Sequence, residues 1–367
     1  MSIDFETANF VLQCAFPTNS IMVDDNGIPS VMVKIPKLTL RQLGIADSDE
    51  IHPAFKINGK VVDAIYVSKF TNTIIDGVAA SLPAVEPAAN VSYRQAVEAC
   101  SKKGKGWHMI TRTEFAMLAE LCAREGFEPR GNNNFGRDYH EPMSTAILCD
   151  EKGVHTEAGT GPQSWYHNNN YSGISDLNGN NNEWVGSLRL VHGELQVIPD
   201  NDGADNTVSQ WADGDKWMCI DGTTGEYIKP QGDGKTPNAL KLDFYGRDTI
   251  SNDPTLFSGW QWITGEITNM LDKRRGLQFV ATVAEATVCE KAQQRLRELA
   301  LLPDMNKLDQ YGMCRLFANN GGPDQRAFCG GRNLDKGDSG VFFCRIGDGI
   351  DYATPGTGLR AVYVDLD

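Results

Sequence analysis

Thiols and imidazoles are the side chains best suited to nucleophilic or metal chemistry, and here their spacing builds no reactive centre. The nine cysteines stand singly, at Cys14, Cys100, Cys122, Cys149, Cys219, Cys289, Cys314, Cys329 and Cys344, with no C-x-x-C pair. In a protein made in a cytoplasm most should be buried small apolar residues. Cys329 and Cys344 share a loop-rich tail, where a disulfide is the minor alternative. The six histidines, His52, His108, His140, His155, His167 and His192, show no H-x-x-x-H or comparable spacing. Asp200 to Asp205 and Asp233-Gly234-Lys235 lack the spacing of an EF-hand. What remains is recognition chemistry. From Gly312 to Arg360, short apolar pieces alternate with Gly, Asn and Asp, as in strands joined by long surface loops, where binding residues tend to sit.

Composition narrows the classes. A chain of 367 residues holds one large domain or two to three ordinary ones. Its 41% hydrophobic and 22% charged content is that of a globular protein, and its 37 glycines favour loops. The net charge of −14 argues against nucleic acid or an anionic membrane as partner. No apolar run approaches the roughly 20 residues of a membrane span. The opening Met1-Ser2-Ile3-Asp4-Phe5-Glu6 lacks a basic region and an apolar core, so no Sec signal peptide is expected.

These residues must be positioned by elements the sequence also announces. Residues 1–75 read as a small β-rich region, with a hairpin turn at Asn58-Gly59 and another turn at Asp25-Asn26-Gly27. Residues 76–367 form the second unit, entered through an extended connector near Leu82-Pro83. Ser92-x-x-Gln95 and Thr111-x-x-Glu114 are capping boxes, predicting helices that close at Gly104 and Gly126. Phe115, Leu118, Ala119 and Cys122 then form a core stripe at helical spacing. Residues 129–186, with three Asn runs among Trp165, Tyr166, Tyr171, Ile174 and Trp184, read as ordered loops over a core. A hairpin turns at His192-Gly193, residues 200–275 read as an insertion of loops and short strands, and residues 285–302 as a helix stopped by Pro303.

Four segments carry a resemblance: Trp107-His108-Met109-Ile110-Thr111-Arg112-Thr113-Glu114-Phe115, Asp176 to Trp184, Arg326-Ala327-Phe328-Cys329-Gly330-Gly331-Arg332, and Gly358-Leu359-Arg360. In that order they resemble the formylglycine-generating-enzyme/sulfatase-modifying-factor superfamily. This implies an α+β fold, a C-type-lectin-like domain with two helices and loop-rich β structure. Enzymes of that superfamily carry a copper-binding cysteine pair shortly after the Gly-Gly pair. Here Asn333 to Ser339 has none, so a redox or metal-dependent enzyme is the alternative and a non-catalytic binder the expectation. The superfamily's acidic loop often binds calcium, which would assign Asp176, Gly179, Asn181 and Glu183 as oxygen ligands. The other reading is an Asn/Gly turn with Glu183 bonded to backbone.

Arg315-Leu316-Phe317-Ala318-Asn319-Asn320-Gly321, Ser339-Gly340-Val341-Phe342 and Gly358-Leu359-Arg360 are similar to the variable proteins of diversity-generating retroelements, including phage tail receptor-binding proteins. That resemblance implies a variable region at 311–360. Its ligand-binding face would comprise Asp324, Arg326, Phe328, Arg332, Asn333, Asp335, Phe343, Arg345, Asp348 and Tyr352. It also implies display from a virion or cell surface and a protein or glycan receptor on a target cell. No cofactor is required beyond the calcium just described. Residues 1–75 would attach or oligomerise the protein, a trimer being common among tail relatives. By strand alternation Phe342 is core and Phe343 faces ligand, unless Phe328, Phe342 and Phe343 are all core.

Overall fold

The computed structural model describes residues 4–246 and 258–366. Residues 247–257 of the expected insertion, with 1–3 and 367, lie outside the described residues. The architecture is mixed α+β, with short helices, much sheet and long connecting loops.

Five strands form one antiparallel sheet in the order Asn19–Val23, Pro29–Pro36, Ala64–Ser68, Ala361–Tyr363, Trp107–Met109. Val67 lies opposite Val362, so the C-terminal strand is held between the N-terminal hairpin and residues 107–109. Residue 75 is therefore no seam between bodies, because residues 19–68 share a sheet and a core with the rest. A larger sheet runs from Arg275–Gln278 through Arg315–Ala318, Gly340–Asp348, Gln325–Gly330, Asn182–Val191 and Glu194–Val197 to Lys241–Tyr245 and Gly259–Ile263. The 200–275 segment thus extends this sheet with its own strands.

Local chemistry explains the helices. Thr111 Oγ1 accepts from Glu114 N at 3.1 Å while Glu114 Oε2 accepts from Thr111 N at 2.9 Å, starting helix Arg112–Arg124. Ser92 and Gln95 exchange the same pair of bonds before helix Tyr93–Ser101. Such a cap stabilises by about 1 kcal/mol. Phe115, Leu118, Ala119 and Cys122 are fully buried. Gly104 and Gly126 take positive φ beyond the helix ends, and Asn58-Gly59 and His192-Gly193 take the paired positive φ of tight hairpins.

Two elements differ from expectation. Phe5–Ala15 is a helix, capped by Asp4, within the region read as β; its half-buried Phe5, Ala8 and Leu12 lie along the edge strand Asn19–Val23. The helix expected over 285–302 spans Glu290–Glu298, and Ala300 at φ 47° turns the chain before Pro303 is reached. Among the described residues no helix is long and apolar enough to cross a membrane.

Candidate binding face

The four resembling segments meet around one buried ion pair. Arg360 Nε donates to Glu183 Oε2 at 2.7 Å and Nη2 to Oε1 at 2.6 Å, with Arg360 wholly buried. The guanidinium also donates to Ser68 O and Ser175 O, and Thr71 Oγ1 donates to Glu183 Oε1. Ile110 N donates to Arg360 O, Gly186 N to Ile110 O, and Gly179 N to Gly330 O. Trp184 stacks edge-on against Phe328 and donates Nε1–H to Val91 O. Arg112, at the first turn of its helix, donates to Leu299 O, Ala300 O and Cys329 Sγ. Most polar groups of these segments are therefore spent inside the fold, where leaving one bare would cost a few kcal/mol.

Most of the expected ligand-binding array is interior too. Arg326 is fully buried, its guanidinium over the rings of Tyr93 and Trp217, donating to Gln210 O at 2.7 Å and Asp324 Oδ2 at 3.0 Å. Arg345, 8% exposed, lies between the rings of Phe328 and Tyr352 and binds Asp348 with two parallel hydrogen bonds of 2.8 and 3.0 Å. Arg274 adds a third bond to Asp348. Burial and the neighbouring Arg326 push Arg189 down to about 10. Phe328, Asn333 and Phe343 are buried, Phe343 against Phe317, so the expectation that Phe343 faces ligand is corrected. Phe342 is core, stacked with Phe279. Alternation across the strand failed as a guide because both of its faces are covered. Asp324, Arg332, Asp335 and Tyr352 are half-exposed, and they are the members of the array with surface to offer.

The two acidic members of the expected calcium set are already bonded within the fold. Glu183, whose charge such a site needs, is neutralised by Arg360. Asp176 Oδ2 accepts from Gly159 N and Ser175 Oγ, and burial raises its carboxyl above the usual range. Gly179 is tied to Gly330, and Asn181 Nδ2 donates to Ala88 O. In this loop Asp176 Oδ1, Asn181 Oδ1 and Asn182 Oδ1 stay unpartnered. No cluster of three or more His, Cys, Asp or Glu suited to a metal occurs among the described residues. No disulfide forms: Cys329 and Cys344 oppose one another across adjacent strands as free thiols, and burial holds Cys329 well above the usual thiol range. Six of the nine cysteines are buried, in line with their reading as small apolar residues.

Beside this interior frame lies an exposed surface the sequence did not single out. Loop 131–141 runs against loop 331–339: Phe135 N donates to Asn333 O at 3.1 Å and Lys336 N to Asn133 O at 2.9 Å. Asn133 Nδ2 donates to Asp138 Oδ2 and Asn178 Oδ1, and Asp138 Oδ1 accepts from His140 N and Glu141 N, which fixes the loop from below. The signal available was Phe135 itself, a large apolar residue between Asn134 and Gly136 in a polar run.

The described chain is thus a loop-rich α+β protein with a buried polar frame and an exposed loop face. No family model matches it, and no curated protein matches it. Among solved structures it is similar to Treponema denticola variable protein 1, at 11% identity and a TM-score of 0.33, over 95% of this chain and 99% of that one. An overlay that loose does not define the fold.

Proposed function

We propose that the chain is a non-catalytic ligand-binding protein on a C-type-lectin-like scaffold. It would be a variable protein of the diversity-generating-retroelement kind, displayed from a phage tail or cell surface toward a protein or glycan receptor. The observation that carries this reading is the convergence of the four resembling segments on the Arg360–Glu183 pair. A frame that consumes its own polar groups leaves recognition to the loops around it, and a rigid backbone lowers the entropy cost of binding. The pairing of Ala64–Ser68 with Ala361–Tyr363, flanked by two capped helices, supports the lectin-like assignment. The helix Phe5–Ala15, at the outer edge of its sheet with Phe10 and Val11 exposed, suits the attachment or trimer contact proposed for the N-terminal region. The test is the DNA flanking the gene. The reading expects a near copy of the segment encoding 311–360, differing at adenines, beside a reverse transcriptase. Absence of any such copy refutes diversification. Copper or iron held tightly by the purified protein, together with a thiol-dependent activity, would favour the enzyme instead.

A further inference from the structure

Five exposed large apolar side chains lie on or beside the paired loops. Phe135, Tyr139, Leu148, Met313 and Leu334 are each between 43% and 47% exposed. They are neighbours: a methyl placed on Gly337 would lie 3.4 Å from Met313 Sδ and 3.5 Å from Tyr139 Cδ1, and one on Gly136 would meet Leu148 Cδ2. Phe135 N donates to the carbonyl of Asn333, the residue before Leu334.

Two further features single this patch out. Most non-glycine residues at positive φ are Asn, Asp or His, which tolerate it, or small Ala and Ser. The two with long side chains, Phe135 and Lys336, both at φ 53°, stand on these two loops. Left-handed backbone at such residues is strain that clusters at ligand sites. Charge is the second feature. Every acid of the two loop segments is engaged: Asp138 with backbone amides, Glu141 with Arg130, Asp335 with Arg332, Asp338 with Arg315. Arg137 and Lys336 are exposed, and neither has a carboxylate partner in the described structure. On a chain of net charge −14, this is a small surface with unspent positive charge.

We propose that the face formed by loops 131–141 and 331–339, with Leu148 and Met313, binds an acidic protein segment. The segment's bulky apolar side chain would seat among Phe135, Tyr139 and Leu334, and its carboxylates would meet Arg137 and Lys336. The inference rests on the binding-protein reading and names its partner class. Aromatic and Met anchors held on a rigid backbone, with charge at the rim, are how protein interfaces concentrate affinity.

The test selects a random peptide library and, in parallel, probes a glycan array with the full chain. The face predicts enriched peptides that combine Asp or Glu with Phe, Leu or Trp. Their binding should weaken with salt and fall roughly tenfold or more in Leu334→Ser and Phe135→Asn. Thermal stability of Phe135→Asn and Lys336→Asn should hold or rise, since Asn accepts left-handed backbone. A merely structural role would instead lower stability and binding together, overturning the proposal. Enrichment without acidic bias, or peptide binding untouched by the variants, also overturns it. Glycans captured by this face would sink the protein-partner inference and leave the binding reading standing. The flanking-DNA test judges that reading separately.

Discussion

Replacing Glu183 by Gln keeps the shape of the side chain and removes its charge. Arg360 would retain Ser68 O and Ser175 O as acceptors but face a wholly buried environment without its counter-ion. Breaking a buried pair in this way costs about 3–5 kcal/mol, a large part of the 5–15 kcal/mol that holds a typical domain. With an unfolding entropy of roughly 2.1 cal/mol/K per residue, a chain of 367 residues should lose about 5 °C in Tm. Differential scanning calorimetry reads this directly. The double variant Glu183→Gln/Arg360→Met should recover part of the loss, because no bare charge remains. A shift below about 1 °C would refute the frame. So would a wild-type Tm that falls on adding a calcium chelator, since it would mean the carboxylate serves a metal.

Other outcomes follow from the same geometry. Arg345→Ala should destabilise by about 2 kcal/mol in urea melts, since it removes a buried stack and a two-bond contact with Asp348. A surface role would leave stability unchanged. Burial lowers His52 to about 3 and His167 to about 4. Below pH 6.5 the unfolded chain binds protons these buried rings refuse, so stability present at pH 7 is lost as pH falls. At pH 5 each costs about 2 kcal/mol, and His167→Asn should flatten the slope of urea midpoint against pH between 6.5 and 4. Thiol titration of the native protein should find Cys14 fast, Cys149 and Cys289 slower, and the remaining six only after denaturation. Rapid labelling of Cys329 or Cys344 would contradict the buried pair.

Much of the scaffold was legible because its signals are local. Capping boxes at Ser92 and Thr111 need only residues three apart, and Asn58-Gly59 and His192-Gly193 carry their own backbone preference. The N-terminal helix was missed because its apolar stripe is short and half-buried, among strands on the same stretch. The end of helix Glu290–Glu298 is set by Ala300 in a left-handed conformation that its residue type does not advertise. The arginines depart furthest from what their sequence suggests. Charge argues for surface, yet Arg326 is housed by Tyr93, Gln210 and Trp217, partners more than a hundred residues distant that no local pattern reveals. Arg345 and Asp348, three apart, could have been paired from sequence. Their burial could not, because it depends on Phe328 and Tyr352 closing over them.

The C-terminal segment divides into a fixed interior frame and a permissive outer face. Saturation mutagenesis of residues 311–360, sorted for folded protein on a display surface, measures that division directly. The structure predicts that Arg326, Phe328, Phe343, Arg345 and Arg360 reject nearly every substitution, while Arg332, Leu334 and Lys336 accept many residue types. Free substitution at Arg326 and Phe328, with intolerance at Leu334 and Lys336, would contradict it.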